Sequence, residues 1–248
     1  MIYTCHRAQS YLGIPSVRPR LAQGEAIHRH SHSFPYATIV LEGGYEEAGE
    51  GGRWRVRAGD VLMHAPFSAH RNYSRRGALL LNLPIPMYLG HSQCGYIDDP
   101  EWIARLAPRD PIEASVALVK RWQRTTPGPI DTADLLASLL SDGDPPCIAA
   151  WSARFGSSRQ TVFRQFRAAY GVGPNRYRVE ARARRAWQLI VSGPVKLADI
   201  AAATGFADQA HMQRDVKTLT GRTPGAWRRG TTLQHLFNTR EDPPSHHG

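Results

Sequence analysis

The chain is 248 residues long, with 31 Lys or Arg against 21 Asp or Glu and a formal charge of +10, and its length suits two modest domains as well as one large one. Fifteen basic and five acidic residues fall between Asp144 and Arg229, while the rest of the chain holds sixteen of each, so one segment carries the whole excess, as in a polyanion-binding module joined to a neutral one. No apolar run has membrane-spanning length, MIYTCHRAQS lacks a signal-peptide core, and Cys5, Cys94 and Cys147 lack ligand-like spacing, which argues against a membrane partner, a disulfide scaffold and a Cys-rich zinc module and predicts a cytoplasmic protein.

From about Leu21 to Leu83 the sequence reads as short strands. Tyr36 to Leu41, Trp54 to Val56, Val61 to His64 and Ala78 to Leu83 are apolar or β-branched, and Gly43-Gly44, Gly49 to Gly52 and Gly59-Asp60 supply turns. This spacing predicts a small antiparallel barrel or sandwich. Within it, HRHSH carries His28, His30 and His32, which strand alternation puts on one face, and His64 and His70 follow in GDVLMHAPFSAH. Alternating histidines with a distant third suit zinc or a non-haem transition metal.

Gly24 to His30 and Gly59 to His70 resemble the two short motifs of the cupin barrel superfamily. The resemblance implies a cupin-like sensory or dimerisation domain over residues 1–95. Its site would draw on His28, His30, His32 and His70 for a metal, or on His28, His30, Trp54 and His70 for an organic ligand. Metal-binding cupins carry a glutamate soon after the His pair, whereas Ser33 to Val40 contains none and Glu42 follows FPYATIVL. A metal site, an organic-ligand pocket lined by residues such as Phe34, Tyr36, Tyr45 and Trp54, and a purely structural cluster therefore all stay open.

After Pro84 and Pro86, Ile112 to Arg124 and Thr132 to Leu140 have helical spacing and are closed by TTPGP and SDGDPP. Residues 96–143 are read as a helical connector, Ser141 to Pro146 as the linker, 144–232 as the DNA-binding domain and 233–248, ending in PPSHHG, as a disordered tail.

The basic segment contains an internal repeat. WSARFGSSRQTVFRQFRAAYG, Trp151 to Gly171, can be laid against IAAATGFADQAHMQRDVKTLTG, Ile200 to Gly221, with one extra residue after the turn glycine of the second copy. Each copy reads as helix, glycine turn, polar cap, helix, which is what a helix-turn-helix needs. Val162 and Phe166 share one side of the first reading helix, and Gln160, Arg164 and Arg167 share much of the other. In the second, Met212, Val216 and Leu219 oppose Gln209, Gln213, Arg214 and Lys217. Gln and Arg can read adenine and guanine edges in the major groove, and Phe163 could meet a thymine methyl or pack against neighbouring protein. Between the copies, PNRYRVEARARRAWQLI spreads Arg178, Arg182, Arg184 and Arg185 around one helix.

SRQTVFRQFRAAYG and DIAAATGFADQAHMQRDVKTLTGRTPGAWR resemble the two helix-turn-helix halves of the AraC/XylS family over about ninety residues. The resemblance implies a seven-helix DNA-binding domain with two recognition helices in successive major-groove segments. It puts Gln160, Phe163 and Arg164, and Gln209, Gln213 and Arg214, at reading positions. Beside the resemblance, Arg159 is a further candidate DNA contact, and Arg184 a candidate contact to the phosphate backbone alone. Trp151, Ser152, Ser157, Met212, Asp215 and Val216 depart from the usual pattern and leave the operator unread.

The expected fold is α+β: a cupin-like antiparallel β-barrel followed by an all-α domain with two helix-turn-helix units. The expected function is a non-enzymatic, sequence-specific transcription regulator. Its partners would be double-stranded DNA, a small-molecule effector, a second copy in a homodimer, and RNA polymerase if it activates. The competing reading is a metal-dependent cupin enzyme with an appended nucleic-acid-binding domain, which would need a complete metal shell with an open position.

Overall fold

The computed structural model describes residues 19–86, 90–126, 128–142 and 145–230. Cys5, Gly143 and Asp144 of the expected linker, and the expected tail at 233–248 lie outside the described residues. The chain divides into two compact units, Met1–Arg184 and Arg185–Gly248.

The first unit is organised by one long strand. β1 (Arg20–Leu21) and β2 (Ala26–His30) lead into β3 (Tyr36–Gly49), followed by β4 (Gly52–Arg57), β5 (Asp60–His64), β6 (His70–Tyr73), β7 (Ala78–Pro84) and β8 (Gln93–Tyr96). The first half of β3 pairs with β5 and β7, and its second half with β4 and β6. A register shift between Val40 and Glu42 in the β3–β7 ladder marks the change. β1 joins β7, β2 joins β6, β8 joins β5, and β9 (Gln123–Thr125) joins β8, all antiparallel.

The expected cupin-like barrel is not formed. Among the described residues the main path runs β1-β7-β3-β5-β8-β9, β4 pairs with β3 alone, and β6 joins β3 to β2, which has no further partner to close a circuit. A barrel needs every strand paired on both sides around a ring. Here the path ends in a two-residue strand at one edge and an exposed three-residue strand at the other, the short edges by which open sheets limit further pairing. The fold is therefore α+β with an open antiparallel sheet ahead of an all-α region.

Two apolar layers flank the sheet. Ile39, Val61, Leu81 and Leu83 pack with Ile103 of α1 (Pro100–Leu106) and Leu118 of α2 (Pro111–Arg121), while Val40, Tyr45, Trp54, Val56, Leu62 and Leu80 form a second cluster. α1 and α2 each start at proline behind an aspartate cap, Asp99 and Asp110, and α3 (Thr132–Ser141) starts behind Asp131. The side-chain oxygen satisfies first-turn N–H groups, and proline costs nothing there. The helix expected over Ile112 to Arg124 ends at Arg121 because Gln123, Arg124 and Thr125 pair with Tyr96, Gly95 and Cys94 instead.

A third cluster joins Ala48 of β3, Leu136 and Leu140 of α3, Trp151 of α4 (Ile148–Arg154), Phe166 and Tyr170 of α5 (Arg159–Tyr170) and Tyr177 of α6 (Pro174–Ser192). The second unit holds the end of α6 with α7 (Leu197–Ala203), α8 (Gln209–Thr220) and α9 (Pro224–Arg229). Trp187 and Trp227 meet there edge to face, with ring centroids 5.7 Å apart.

Candidate functional site

Each repeat folds into a helix-turn-helix. In the first, α4 ends at a turn whose Gly156 has φ +60°, and Ser158 Oγ accepts from Thr161 N–H to start α5. In the second, α7 ends at a turn whose Gly205 has φ +73°, and Asp208 accepts from His211 N–H to start α8. Both glycines adopt the left-handed backbone that a Cβ disfavours, and the second turn is one residue longer. The repeat also runs further than the motif alone indicates. α5 and α8 each end in a left-handed glycine, Gly171 and Gly221, and Pro174 and Pro224 open the next helices.

The same side of the second helix in each repeat faces inward. Val162, Phe166 and Tyr170 are buried on α5, and Met212 and Val216 on α8. Arg159, Gln160 and Arg164 are exposed on α5, as are Gln209 and Arg214 on α8, with Gln213 half-buried. Phe163 is half-buried and lines a surface concavity with Arg159 and Gln160 on one side and another with Arg164, Arg167 and Gly173 on the other.

Arg184, expected to contact DNA, is instead buried in the protein. Its side chain is 1 % exposed and paired at 3.1 Å with Glu50, itself 1 % exposed. It also donates to the Pro66 carbonyl at 2.9 Å and to the Gly90 carbonyl. Burial pushes the Glu50 carboxyl up, and Arg184 acts against that shift.

Other polar links join α5 and α6 to the sheet within the first unit. Arg29 pairs with Glu180 at 3.0 Å and donates to the Tyr170 carbonyl, and Arg71 donates to the Ala168 carbonyl. Two cations thus meet the carbonyl end of α5, where the helix dipole favours them. Tyr170 donates to Asp134 at 2.7 Å, and Tyr177 to the Gly49 carbonyl at 3.1 Å.

The histidines converge on the sheet. His30 pairs in register with His70, Gly49 with His70, and Tyr36 with His64. Gly49 makes room for this, since a Cβ there would come within 3.0 Å of His70 Cβ. Two overlapping triads result, His30–His32–His70 and Glu47–His64–His70, with the ligand atoms of each within 4.8 Å of one another. Burial lowers the His30 pKa, takes His32 down to about 4 and holds His64 and His70 well below the usual imidazole value, while it raises Glu47 to about 8.

Of the expected ligands, His30, His32 and His70 are brought together. His28 is exposed and contributes its carbonyl to His30 Nδ1 at 2.8 Å rather than its ring. Trp54 is buried in the cluster with Tyr45, Val56 and Cys94 and stands opposite Glu47 in the β3–β4 ladder. Sequence reasoning misses Glu47, although Tyr45, Glu47 and Gly49 follow the strand alternation that places them on one face.

Residues 151–230 match the helix-turn-helix domain family. Among solved structures the chain is similar to ToxT from Vibrio cholerae O395, at 9% identity over 88% of this chain and 98% of that one, with a TM-score of 0.38. It is also similar to a transcriptional regulator with an AraC-type DNA-binding domain from Chromobacterium violaceum, at 26% identity over 38% and 86%, with a TM-score of 0.35. A third is the C-terminal domain of the response regulator yesN from Fusobacterium nucleatum subsp. nucleatum, at 20% identity over 38% and 90%, with a TM-score of 0.33. No curated protein matches the chain. The likeness to AraC-type regulators is distant and partial, and the open sheet does not extend it to a cupin barrel. Residues 151–230 thus carry a helix-turn-helix module, an architecture that binds DNA. Among the described residues no helix is long and apolar enough to cross a membrane.

Proposed function

We propose that the protein is a sequence-specific transcription regulator that reads duplex DNA with α5 and α8 and takes an effector at the buried histidine cluster of its sheet. The observation that carries the reading is the repeated helix-turn-helix, in which Gln160 and Arg164 in one copy and Gln209 and Arg214 in the other stand exposed on the face opposite the core. Phosphate contacts hold a protein in register, and base-edge contacts specify sequence. An exposed arginine able to pair bidentately with guanine contributes about 1–3 kcal/mol against a wrong base.

Arg184 has a positioning role in this account, since its guanidinium is engaged inside the first unit. The cluster supports an effector site because two triads of ligand atoms converge there, each within 4.8 Å, and His64 Nδ1 is buried without a hydrogen-bond partner. The test is a titration of the full chain against a duplex selected from a random pool and against its scrambled version, at several salt concentrations. The expected result is tighter, salt-sensitive binding to the selected duplex. Equal affinity for both would reduce the module to nonspecific phosphate binding.

A further inference from the structure

We propose that Glu47, His64 and His70 form a site for one divalent transition metal ion, zinc or a first-row neighbour, with Glu47 Oε1, His64 Nδ1 and His70 Nε2 as protein ligands and a further position left open. The proposal deepens the reading of the cluster as an effector site, and it is decided by metal content rather than by DNA binding.

The hydrogen bonds around the cluster fix which nitrogen of each histidine carries the proton and which carries the lone pair. Thr38 Oγ1 donates to Asn82 Oδ1 at 2.7 Å, so its contact with His64 Nε2 at 3.2 Å makes that nitrogen the protonated one. The His64 Nδ1 lone pair is then left buried, without a hydrogen-bond partner and 3.4 Å from Glu47 Oε1. Two ligand atoms bound to zinc at about 2.0–2.1 Å in a tetrahedron stand about 3.4 Å apart, so the separation already matches an edge of the coordination polyhedron.

His70 is oriented by the same logic. Its Nδ1 donates to the Ser68 carbonyl at 3.2 Å, so Nε2 carries the lone pair; that lone pair accepts from the Tyr36 hydroxyl at 3.4 Å, a long hydrogen bond that a metal ion would replace. A carbonyl or hydroxyl that fixes the far nitrogen of a ligating histidine is the usual outer support of a metal site. Tyr36 also stacks on His64, with centroids 4.2 Å apart.

Of the two triads, this one fits a cation better. It contains a carboxylate to offset the ion's charge, and its three side chains are at most 3 % exposed. The His30–His32–His70 triad is uncharged and partly open to solvent. Because both share His70, one ion occupies the cluster at a time.

The test is metal analysis of the full chain after dialysis with zinc alone, with visible spectroscopy after loading with cobalt(II). One equivalent per chain is expected, with the intense absorption of low-coordinate cobalt. Glu47→Gln and His64→Gln should each lower zinc affinity at least about tenfold. Thr38→Val, which replaces no ligand, should lower it about 10- to 100-fold, as loss of outer support does. Thermal melts of the metal-free variants show that they fold, and Thr38→Val carries the test if a ligand variant does not. The proposal fails if zinc stays substoichiometric at micromolar concentration, if one equivalent survives in both Glu47→Gln and His64→Gln, or if binding disappears on deleting His246 and His247 of the C-terminal segment.

Discussion

Replacing Arg184 by Ala distinguishes a DNA contact from a structural one. The substitution leaves Glu50 buried without its partner and removes the donor that satisfies the Pro66 and Gly90 carbonyls. Breaking one partner of a buried ion pair costs about 3–5 kcal/mol. For a unit of this size each kcal/mol moves the melting temperature by about 2–4 °C, so a fall of roughly 6–20 °C is expected by circular dichroism. The loss should be smaller at pH 5 than at pH 8. Burial raises the Glu50 pKa, and losing Arg184 raises it further. A carboxyl group whose folded pKa lies above its unfolded one stabilises the fold at low pH, and that contribution is lost as pH rises from the unfolded value through the folded one. Replacing both partners together, as in Glu50→Met with Arg184→Met, should recover much of the loss, because an apolar pair carries no uncompensated charge. Arg184 is a DNA contact instead if Arg184→Ala melts with the wild type and weakens duplex binding with a salt slope shallower by about 0.9, the signature of one lost phosphate contact.

Gly156→Ala and Gly205→Ala meet open space but force a Cβ into left-handed backbone, and each should cost about 1–2 kcal/mol in a denaturant titration; an unchanged midpoint would mean that the turns relax. Asp131→Asn should flatten the acid limb of stability. Burial pushes the Asp131 carboxyl up, but the hydrogen bond and charge of Arg53 outweigh that and hold it below its usual value of 3.8. Its stabilising contribution is therefore present above that pH and lost below it, and the gap between wild type and variant should close as pH falls from 5 to 3. A gap that does not change with pH would assign the effect to the helix cap alone.

What the amino-acid sequence makes legible here is local. The glycine turns, the caps at Ser158 and Asp208 and the apolar spacing of Val162–Phe166 and Met212–Val216 are each written within a dozen residues, so the repeat can be read from the segment itself. The closure of the sheet cannot, because whether a first strand pairs with a last one depends on long-range register, and alternation is the same in open and closed sheets. Arg184 is one of five arginines on α6, and nothing nearby marks Glu50, 134 residues away, as its partner. The histidine cluster is legible as far as His30, His32 and His70. Glu47 is not, because a glutamate in a strand reads as solvent-facing until the ladder shows Gly49 opposite His70.

If α5 and α8 each read bases, selecting duplexes from a random pool with wild type, Arg164→Ala and Arg214→Ala will show it in the enriched sequences. Two blocks of base preference are expected for the wild type, with Arg164→Ala weakening one block and Arg214→Ala the other. Identical enriched sequences from all three proteins would contradict base reading by these helices.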